Sequence, residues 1–296
     1  MLDINEFKDL KLGDKDVFNK YYLKYPIFHS ELSYINLMSW RHNWKVLFLE
    51  YKEHLILIVQ SLEGLNYLYF PIGDFDKDLV FELIDFSKEI KAKYALCMIS
   101  HEVKDKLEML DSSFKFNTNN DYAEYVYLSK NLAKLEGEAY KKIRTKINKF
   151  NKTYKYTVEP ISKDNYIEVL EFINRWCLWK GCEEDPSLLN EKIATVYSIE
   201  HFFILGLKGL IIRIEGEIQA LSAFETLAND QAIIHYEKAI ADFNGLYQII
   251  NNETAKFLYK DYKYLNRSYD MNLAGLRQAK KSYKPEFLVK TYNLKT

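Results

Sequence analysis

The order of strand-like and helical patterns in the second half of the chain constrains the fold most. Residues 210–215 and 218–226 are strand-like runs joined by a short turn around Gly216, and residues 231–240 form a third run. A helical pattern over 245–259 then leads to a short strand at 262–265. This order predicts a mixed, mostly antiparallel α/β sheet flanked by helices.

The first half of the chain has a similar order of elements. Its patterns predict strands at 46–50, 55–59, 65–70, 95–99 and 122–128, and helices at 78–92 and 101–110. The second half adds helices at 165–179 and 188–205, a helical turn at 273–280 and a last strand at 286–292. An element order that recurs at long period indicates a duplicated domain. We therefore predict an N-terminal domain over 1–132, a basic interdomain helix over 133–158, and a C-terminal domain over 159–296.

Composition excludes several classes of protein. The net charge is -1, so any affinity for nucleic acid or anionic lipid must come from a local patch. The odd number of cysteines, Cys97, Cys177 and Cys182, with no C-x-x-C pair, argues against a disulfide framework and a zinc site. The N-terminus lacks a signal-peptide pattern, and no apolar run approaches the roughly 18 residues that span a bilayer. We expect a cytoplasmic protein without a metal.

A basic helix is predicted between the two halves, over 138–156. Ile143, Ile147, Phe150 and Tyr154 form an apolar stripe along it. The candidate polyanion-binding residues on its other faces are Lys142, Arg144, Lys146 and Lys149. Such a cluster is typical of a surface that binds RNA phosphates or an anionic membrane. A solvated face of a bridging helix is the alternative.

The third strand of the second half carries His235, Glu237 and Lys238. His235 and Glu237 are two residues apart, so we expect them on the same face of the strand. Either side chain has the chemistry to accept a proton in acyl transfer, and Lys238 is a candidate for substrate binding. The alternative is a His satisfied inside the sheet and a Glu paired with Lys238 or Arg267.

A second candidate site lies at the start of the following helix. Asn244, Gly245 and Tyr247 occupy the place where backbone amides at a helix N-terminus can bind an anion. An ordinary Asn-Gly turn before a helix is the alternative.

Charged and polar residues also concentrate after the short strand at 262–265. The candidate substrate-binding residues there are Asn266, Arg267, Asp270, Arg277, Lys280 and Tyr283. Arg277 and Lys280 are spaced to share one helical face, and together with Arg267 they can clamp a phosphate or carboxylate. A structural pair between Arg267 and Asp270 is the alternative. If Arg277 only lines the site, Arg277→Ala is expected to abolish ligand binding and leave stability nearly unchanged.

These motifs resemble a known family. The matching segments, in order, are 235–239 (HYEKA), 245–248 (GLYQ), 266–267 (NR), 270–271 (DM), 275–277 (GLR) and 280–285 (KKSYKP), with 32–37 and 40–41 fitting the N-terminal pattern and 140–150 the basic helix. They are similar to those of stand-alone bacterial proteins that resemble the soluble C-terminal domain of phosphatidylglycerol lysyltransferases. This resemblance implies two tandem GNAT-like acyltransferase domains, a fold also similar to that of the Fem aminoacyltransferases, which use aminoacyl-tRNA.

The resemblance implies an acyltransferase that moves an aminoacyl group from aminoacyl-tRNA to an amine or hydroxyl acceptor. The expected site lies against the C-terminal sheet, between the halves, with tRNA and peripheral anionic membrane as partners and no resident cofactor. An acetyl-coenzyme A-dependent N-acetyltransferase and a non-catalytic protein that binds a small anionic ligand are the alternatives. Coenzyme A is disfavoured because Leu246 and Tyr247 replace the small residues of the usual phosphate loop and Asp242 adds a like charge. The amino acid, the acceptor and the oligomeric state stay open.

Overall fold

The computed structural model describes residues 2–27, 29–118, 120–228 and 230–295. The chain forms two compact units. Unit 1 consists of Met1–Ile27, Leu32–Ala123 and Val289–Thr296, and unit 2 consists of Phe28–Glu31 and Glu124–Leu288. The main division therefore follows Ala123, rather than residue 132, and the basic helix belongs to unit 2.

Unit 1 contains a four-stranded sheet in the order β1-β2-β3-β4. Apart from short 3-10 turns, the described elements before β7 are β1 (Lys8–Asp9), α1 (Lys15–Lys24), α2 (Tyr34–Ser39), β2 (Trp44–Tyr51), β3 (His54–Ser61), β4 (Asn66–Leu68), α3 (Lys77–Glu89), β5 (Leu96–Ile99), α4 (His101–Leu110) and β6 (Phe116–Asn117). Strand β3 is buried over six consecutive residues. Helix α3 begins where the Asp76 carboxylate accepts hydrogen bonds from the first free amides, and it buries Leu79, Leu83 and Phe86, as its apolar period predicts.

Unit 2 is built on a seven-stranded sheet in the order β13-β7-β12-β11-β10-β9-β8. Its elements are β7 (Glu124–Leu128), α5 (Ser129–Lys134), α6 (Lys141–Thr153), β8 (Tyr156–Pro160), α7 (Tyr166–Lys180), α8 (Pro186–Glu200), α9 (Phe202–Leu205), β9 (Lys208–Ile214), β10 (Glu217–Thr226), β11 (Gln231–Ala239), α10 (Leu246–Leu258), β12 (Tyr264–Asn266), α11 (Ala274–Ser282) and β13 (Phe287–Val289). Strands β8 to β11 are antiparallel neighbours, whereas β11 and β12 run parallel.

Strands β11 and β12 pair over a short distance only. Their register runs from Gln231 opposite Tyr264 to Ile233 opposite Asn266. Strand β11 then continues to Ala239, while β12 ends. The two strands therefore separate, and the second half of β11 and the segment after Asn266 border a gap in the sheet, which we call the β11–β12 gap.

A β-bulge interrupts β11 at His235. Ala223 of β10 pairs with Tyr236 and Phe224 pairs with Ile234, so His235 is the extra residue on β11. A bulge changes the direction in which neighbouring side chains point. It removes the strict alternation from which a shared face for His235 and Glu237 was predicted.

Two strands belong to a different unit from their neighbours in sequence. Strand β7, predicted within the N-terminal domain, pairs with β12 in the sheet of unit 2. The predicted last strand at 286–292 is instead two short strands, β13 in unit 2 and β14 (Tyr292–Leu294). Strand β14 lies between β5 and β6 in a three-stranded sheet of unit 1. Apolar alternation shows that a segment is a strand, but it does not identify the strand's partner.

The predicted basic helix is α6, preceded by one 3-10 turn at Glu138–Tyr140. Ile143, Ile147 and Phe150 are buried, which confirms most of the apolar stripe. The helix ends at Thr153, because Tyr154 has an extended backbone.

Over the described ranges, no helix is both long and apolar enough to cross a membrane. The same part of the chain holds no group of three or more His, Cys, Asp and Glu residues placed to bind a metal ion.

Candidate active site in the second unit

An ion pair bridges the β11–β12 gap. Arg267, directly after β12, donates from Nη2 to Oε1 of Glu237 on β11 at 2.8 Å. The Asn251 amide of α10 donates to the other oxygen of Glu237 at 3.2 Å. The side chains of Arg267 and Glu237 are 14% and 12% exposed. Glu237 therefore forms an ion pair with Arg267, as the alternative of a Glu paired with Lys238 or Arg267 predicted.

Arg267 lies among aromatic rings. Its guanidinium carbon is 5.0 Å from the centre of the Tyr283 ring and 5.8 Å from that of Tyr127. Burial, the largest single effect, lowers the pKa of Arg267, but the charge and hydrogen bond of Glu237 together with Tyr127 and Tyr283 outweigh it, so the pKa is raised. The Nη1 atom is buried and has no hydrogen-bond partner among the described residues. Arg267 therefore presents a fixed positive charge with an unused donor.

Lys280 is buried beside Arg267. Its Nζ donates to the carbonyl oxygens of Arg267 and Ser268, and lies 5.8 Å from the centre of the Tyr125 ring. Burial, together with the charge of Arg267, lowers the pKa of Lys280 to about 7. Near neutral pH, a large fraction of this side chain is therefore an uncharged amine.

Asp270 pairs with Arg277. Arg277 Nε donates to Asp270 Oδ2 at 2.7 Å and Nη2 donates to Oδ1 at 3.1 Å, a bidentate geometry. The Tyr125 hydroxyl also donates to Asp270, at 2.7 Å. The hydrogen bonds from Arg277 outweigh the effect of burial and hold the pKa of Asp270 at about 2. The predicted alternative pair between Arg267 and Asp270 is wrong, since each of these residues has another partner.

His235 and Lys238 point away from this cluster. His235 Nε2 lies 2.9 Å from Glu225 Oε1. The preceding residue on β10, Phe224, contacts Phe257 of α10. Successive strand residues point to opposite faces, so Glu225 and His235 lie on the face of the sheet away from α10. Lys238 pairs with Glu191 of α8, and its Nζ is 4.3 Å from the centre of the Trp176 ring. The expectation that His235 and Glu237 share a face is therefore wrong, because the bulge at His235 separates them.

The start of α10 lies against α6. Gly245 has φ +107°, and a Cβ at this position would be 3.1 Å from the Lys146 carbonyl oxygen. A glycine is needed here both for the backbone conformation and for this close approach. Asn244 is exposed, and Tyr247 packs against the core of unit 2. A backbone carbonyl is thus adjacent to the place where an anion was predicted to bind.

Glu124 was not identified from the sequence. This fully buried carboxylate accepts hydrogen bonds from the Ser30 amide at 2.8 Å and from the Asn266 amide group at 2.6 Å. Asn266 in turn accepts a hydrogen bond from the Ser268 amide at 2.8 Å. Glu124 therefore fixes the backbone on both sides of Arg267. A single acidic residue at the head of the apolar run EYVYL was the available signal.

Tyr125, Tyr127 and Asn251 also belong to the cluster and were not predicted. Their strand and helix were recognised, but which of their side chains face the β11–β12 gap depends on the pairing of β7 with β12.

The cations of α6 divide into two groups. Arg144 donates to the carbonyl oxygens of Leu135 and Gly137, so it holds the preceding turn. Lys142, Lys146 and Lys149 are exposed, and their spacing of four and three residues places them in one row along the helix. Of the predicted polyanion-binding residues, Arg144 is used within the fold, and the three lysines, which we call the lysine row, are available at the surface.

Comparison with known proteins identifies the family. A family model described as phosphatidylglycerol lysyltransferase, C-terminal, matches residues 24–295. A conserved protein of unknown function from Bacteroides thetaiotaomicron has a crystal structure with TM-score 0.91 and 30% identity, covering 98% of this chain and 99% of that one. L-PGS from Bacillus licheniformis has TM-score 0.62 and 13% identity, with 95% and 92% covered. FemX has TM-score 0.59 and 12% identity, with 97% and 96% covered.

One curated relative, an uncharacterized protein of Mycoplasmoides gallisepticum, is 25% identical over 172 residues. The match spans 58% of this chain and 55% of that protein. The structural likenesses confirm the predicted GNAT-like α/β fold. The match over nearly the whole length shows that the chain belongs to the family of the phosphatidylglycerol lysyltransferase C-terminal domain.

Proposed function

We propose that unit 2 transfers an aminoacyl group from aminoacyl-tRNA to an amine or hydroxyl acceptor. The observation that carries the proposal is the buried Arg267, which stands in the β11–β12 gap with an unused donor on Nη1. Family membership supports the reaction class. Attack on an ester carbonyl places negative charge on its oxygen, and a preorganised buried donor stabilises that charge strongly.

The other residues of the cluster orient Arg267 and transfer the proton. Glu237, which accepts a hydrogen bond from Asn251, orients Arg267, and the acceptor's proton passes to the uncharged amine of Lys280. The bond between the acyl carbon and the tRNA ribose oxygen breaks as the bond to the acceptor forms, and the leaving ribose oxygen takes the proton from the Lys280 ammonium, which returns to the uncharged amine. A base with a pKa near neutral pH is the most effective one for such a step.

The lysine row of α6 supports tRNA as the donor. Lys146 belongs to the row, and its carbonyl oxygen lies at the start of α10, so the row runs past that point. Reversing the charge of Lys142, Lys146 and Lys149 to Glu is expected to reduce tRNA affinity at least tenfold at low salt. The matched control reverses Lys180, Lys260 and Lys263, three exposed lysines elsewhere in unit 2. Equal tRNA affinity of both triple variants would mean that the lysine row is a solvated helix face that does not bind tRNA.

The same contact argues against coenzyme A as the donor. The Lys146 carbonyl oxygen presents partial negative charge beside Gly245, and the Asp242 carboxylate, held by the Trp179 indole at 3.2 Å, lies close by in sequence. Both would repel a pyrophosphate. Titration with acetyl-coenzyme A is expected to show no binding tighter than about millimolar. A micromolar dissociation constant would favour the acetyltransferase alternative.

Transfer of labelled amino acid from a charged tRNA pool to lipid or amine acceptors tests the reaction itself. Arg267→Met is expected to lower the transfer rate by about 10² to 10³. Arg175→Met, which removes an exposed arginine of α7, is expected to leave the rate unchanged. Equal rates for both variants would remove Arg267 from the reaction.

A further inference from the structure

An exposed apolar segment lies next to the candidate site. Residues 271–276, with the sequence MNLAGL, are all exposed and carry no charge. Met271 is 43% exposed, Leu273 57% and Leu276 37%. Single exposed apolar residues are ordinary on protein surfaces, but three large ones within six residues form a local apolar surface. We call this segment the 271–276 tip.

The tip is held in a fixed conformation. Met271 and Asn272 both have left-handed backbones, with φ of 51° and 58°. Such a conformation persists when surrounding contacts impose it. Here Asp270 accepts hydrogen bonds from the Asn272 amide at 3.0 Å and from the Leu273 amide at 2.9 Å. Arg277 holds Asp270 and also donates to the Asn272 side chain at 3.0 Å. The Asp270–Arg277 pair therefore keeps the apolar side chains directed outward.

The segment that follows the tip is basic. From Met271 to Lys284 the sequence contains four basic residues and no acidic residue. Arg277 is paired with Asp270 and Lys280 is buried, whereas Lys281 and Lys284 are exposed. An apolar surface flanked by exposed cations is complementary to a membrane that contains anionic lipid. We propose that the 271–276 tip, with Lys281 and Lys284, docks unit 2 on an anionic lipid membrane.

The tip is connected to the candidate active site. Asp270, at its base, is bonded to Tyr125, and the Lys280 amine lies 5.8 Å from the centre of that ring. The base of the tip is therefore linked through Tyr125 to the cluster around Lys280. The docking needs no catalytic activity, whereas a headgroup hydroxyl as the aminoacyl acceptor rests on the function proposed above.

An environment-sensitive fluorophore on a new cysteine tests the docking in the full chain. The three native cysteines are buried, so Leu273→Cys labels selectively. Leu178→Cys, on α7 and 76% exposed, is the matched control. With vesicles that contain phosphatidylglycerol, the label at 273 is expected to shift to the blue while the label at 178 does not. With phosphatidylcholine vesicles, neither label should shift. Equal shifts at both positions, or none at 273, would overturn the proposal.

Vesicle sedimentation with unlabelled variants provides a second measurement. Met271→Ser with Leu273→Ser is expected to reduce the partition coefficient at least tenfold, and each of Lys281→Glu and Lys284→Glu about fivefold or more at low salt. Both apolar positions are exposed, so these variants should melt like the wild type. If the serine variant instead abolishes self-association and leaves vesicle binding unchanged, the tip is an interface between copies and membrane docking is refuted. Retained vesicle binding without aminoacyl transfer would refute the proposed function alone.

Discussion

At the scale of single residues, burial determines the role of each charged group. Arg267, Asp270 and Lys280 are all largely buried, and each is held by contacts inside unit 2. A buried charge without a partner is costly, so these contacts stabilise the folded state. Two groups of this cluster can still serve a substrate: Arg267 Nη1, which has no hydrogen-bond partner within the described ranges, and the near-neutral amine of Lys280.

Lys280 is expected to make stability depend on pH. An ordinary lysine in the unfolded chain has a pKa of about 10.4, whereas that of folded Lys280 is lowered to about 7. Between these values the unfolded state binds more protons, so the free energy of unfolding rises with pH, by at most about 1.4 kcal/mol per pH unit. Urea unfolding from about pH 7 to 9.5 should show this rise in the wild type and a flatter profile in Lys280→Met. The range stops there because buried tyrosines titrate above it. Parallel profiles would mean that Lys280 is charged in the folded protein.

Arg277 is expected to support folding as well as the site. Because Asp270 is only 3% exposed, Arg277→Ala leaves a buried carboxylate without its main partner. The free energy of unfolding should fall by about 1 to 3 kcal/mol. This is less than for a fully buried pair, because the Arg277 side chain is 35% exposed. This reverses the expectation from sequence that stability would be nearly unchanged. Lys281→Ala, exposed on the same helix, should melt like the wild type.

The same variant should change the response to acid. The pKa of Asp270, lowered to about 2, contributes stability that is present above about pH 4 and is lost as the pH falls through about 2. In Arg277→Ala the pKa of Asp270 should be lowered less, so the variant should lose less stability in acid than the wild type does. The free energies of unfolding of wild type and variant should therefore converge toward low pH. A constant difference would locate the effect of Arg277 elsewhere.

The sequence predicted which residues form the cluster better than it predicted their partners. Arg267, Asp270, Arg277 and Lys280 were recognised because charges concentrate after a short strand. Their pairings depend on how far β11 and β12 separate and on the position of β7. These are tertiary relations that no local pattern contains.

At the scale of elements, helix and strand bounds followed from local pattern. Helix α4 begins and ends where predicted, at His101 and Leu110, and α10 differs by one residue at each end. The bulge at His235 was not predictable, because HYEK alternates as a regular strand does. The contact between α6 and the start of α10 was equally hidden, although Gly245 marks it.

Gly245→Ala is expected to be more destabilising than the same change at Gly216. Both glycines have left-handed φ, at +107° and +84°, which costs alanine about 1 kcal/mol or more. Only at Gly245 would the new Cβ also lie 3.1 Å from a backbone oxygen of α6. At Gly216, no atom of the described part of the chain lies within 4 Å of such a Cβ. Thermal unfolding should therefore place Gly245→Ala about 1 kcal/mol or more below Gly216→Ala. Equal losses would show that α6 moves aside without cost.

At the scale of the whole molecule, neither unit is a continuous piece of chain. Unit 2 takes Phe28–Glu31 from the N-terminal part, and Glu124 binds Ser30 of that segment. Unit 1 takes β14 from the C-terminal end and places it between two strands of its own. Two domains in tandem were predicted, but a division of the chain by the order of its elements cannot assign strands that pair in the other unit.

The exchanged strand β14 predicts that a residue near the C-terminus stabilises unit 1. Leu294 is 1% exposed and packs in the core of that unit with Leu96 and Leu107. Leu294→Ala should cost about 2 to 4 kcal/mol, because it leaves a cavity in a packed core. Leu288→Ala, six positions earlier on β13 and 41% exposed, should cost no more than about 0.5 kcal/mol. Hydrogen exchange locates the effect: in Leu294→Ala, protection should fall most in β5 and β6, the strands that flank β14. Unchanged protection in β5 and β6, or an equal loss in Leu288→Ala, would contradict the placement of β14 in the core of unit 1.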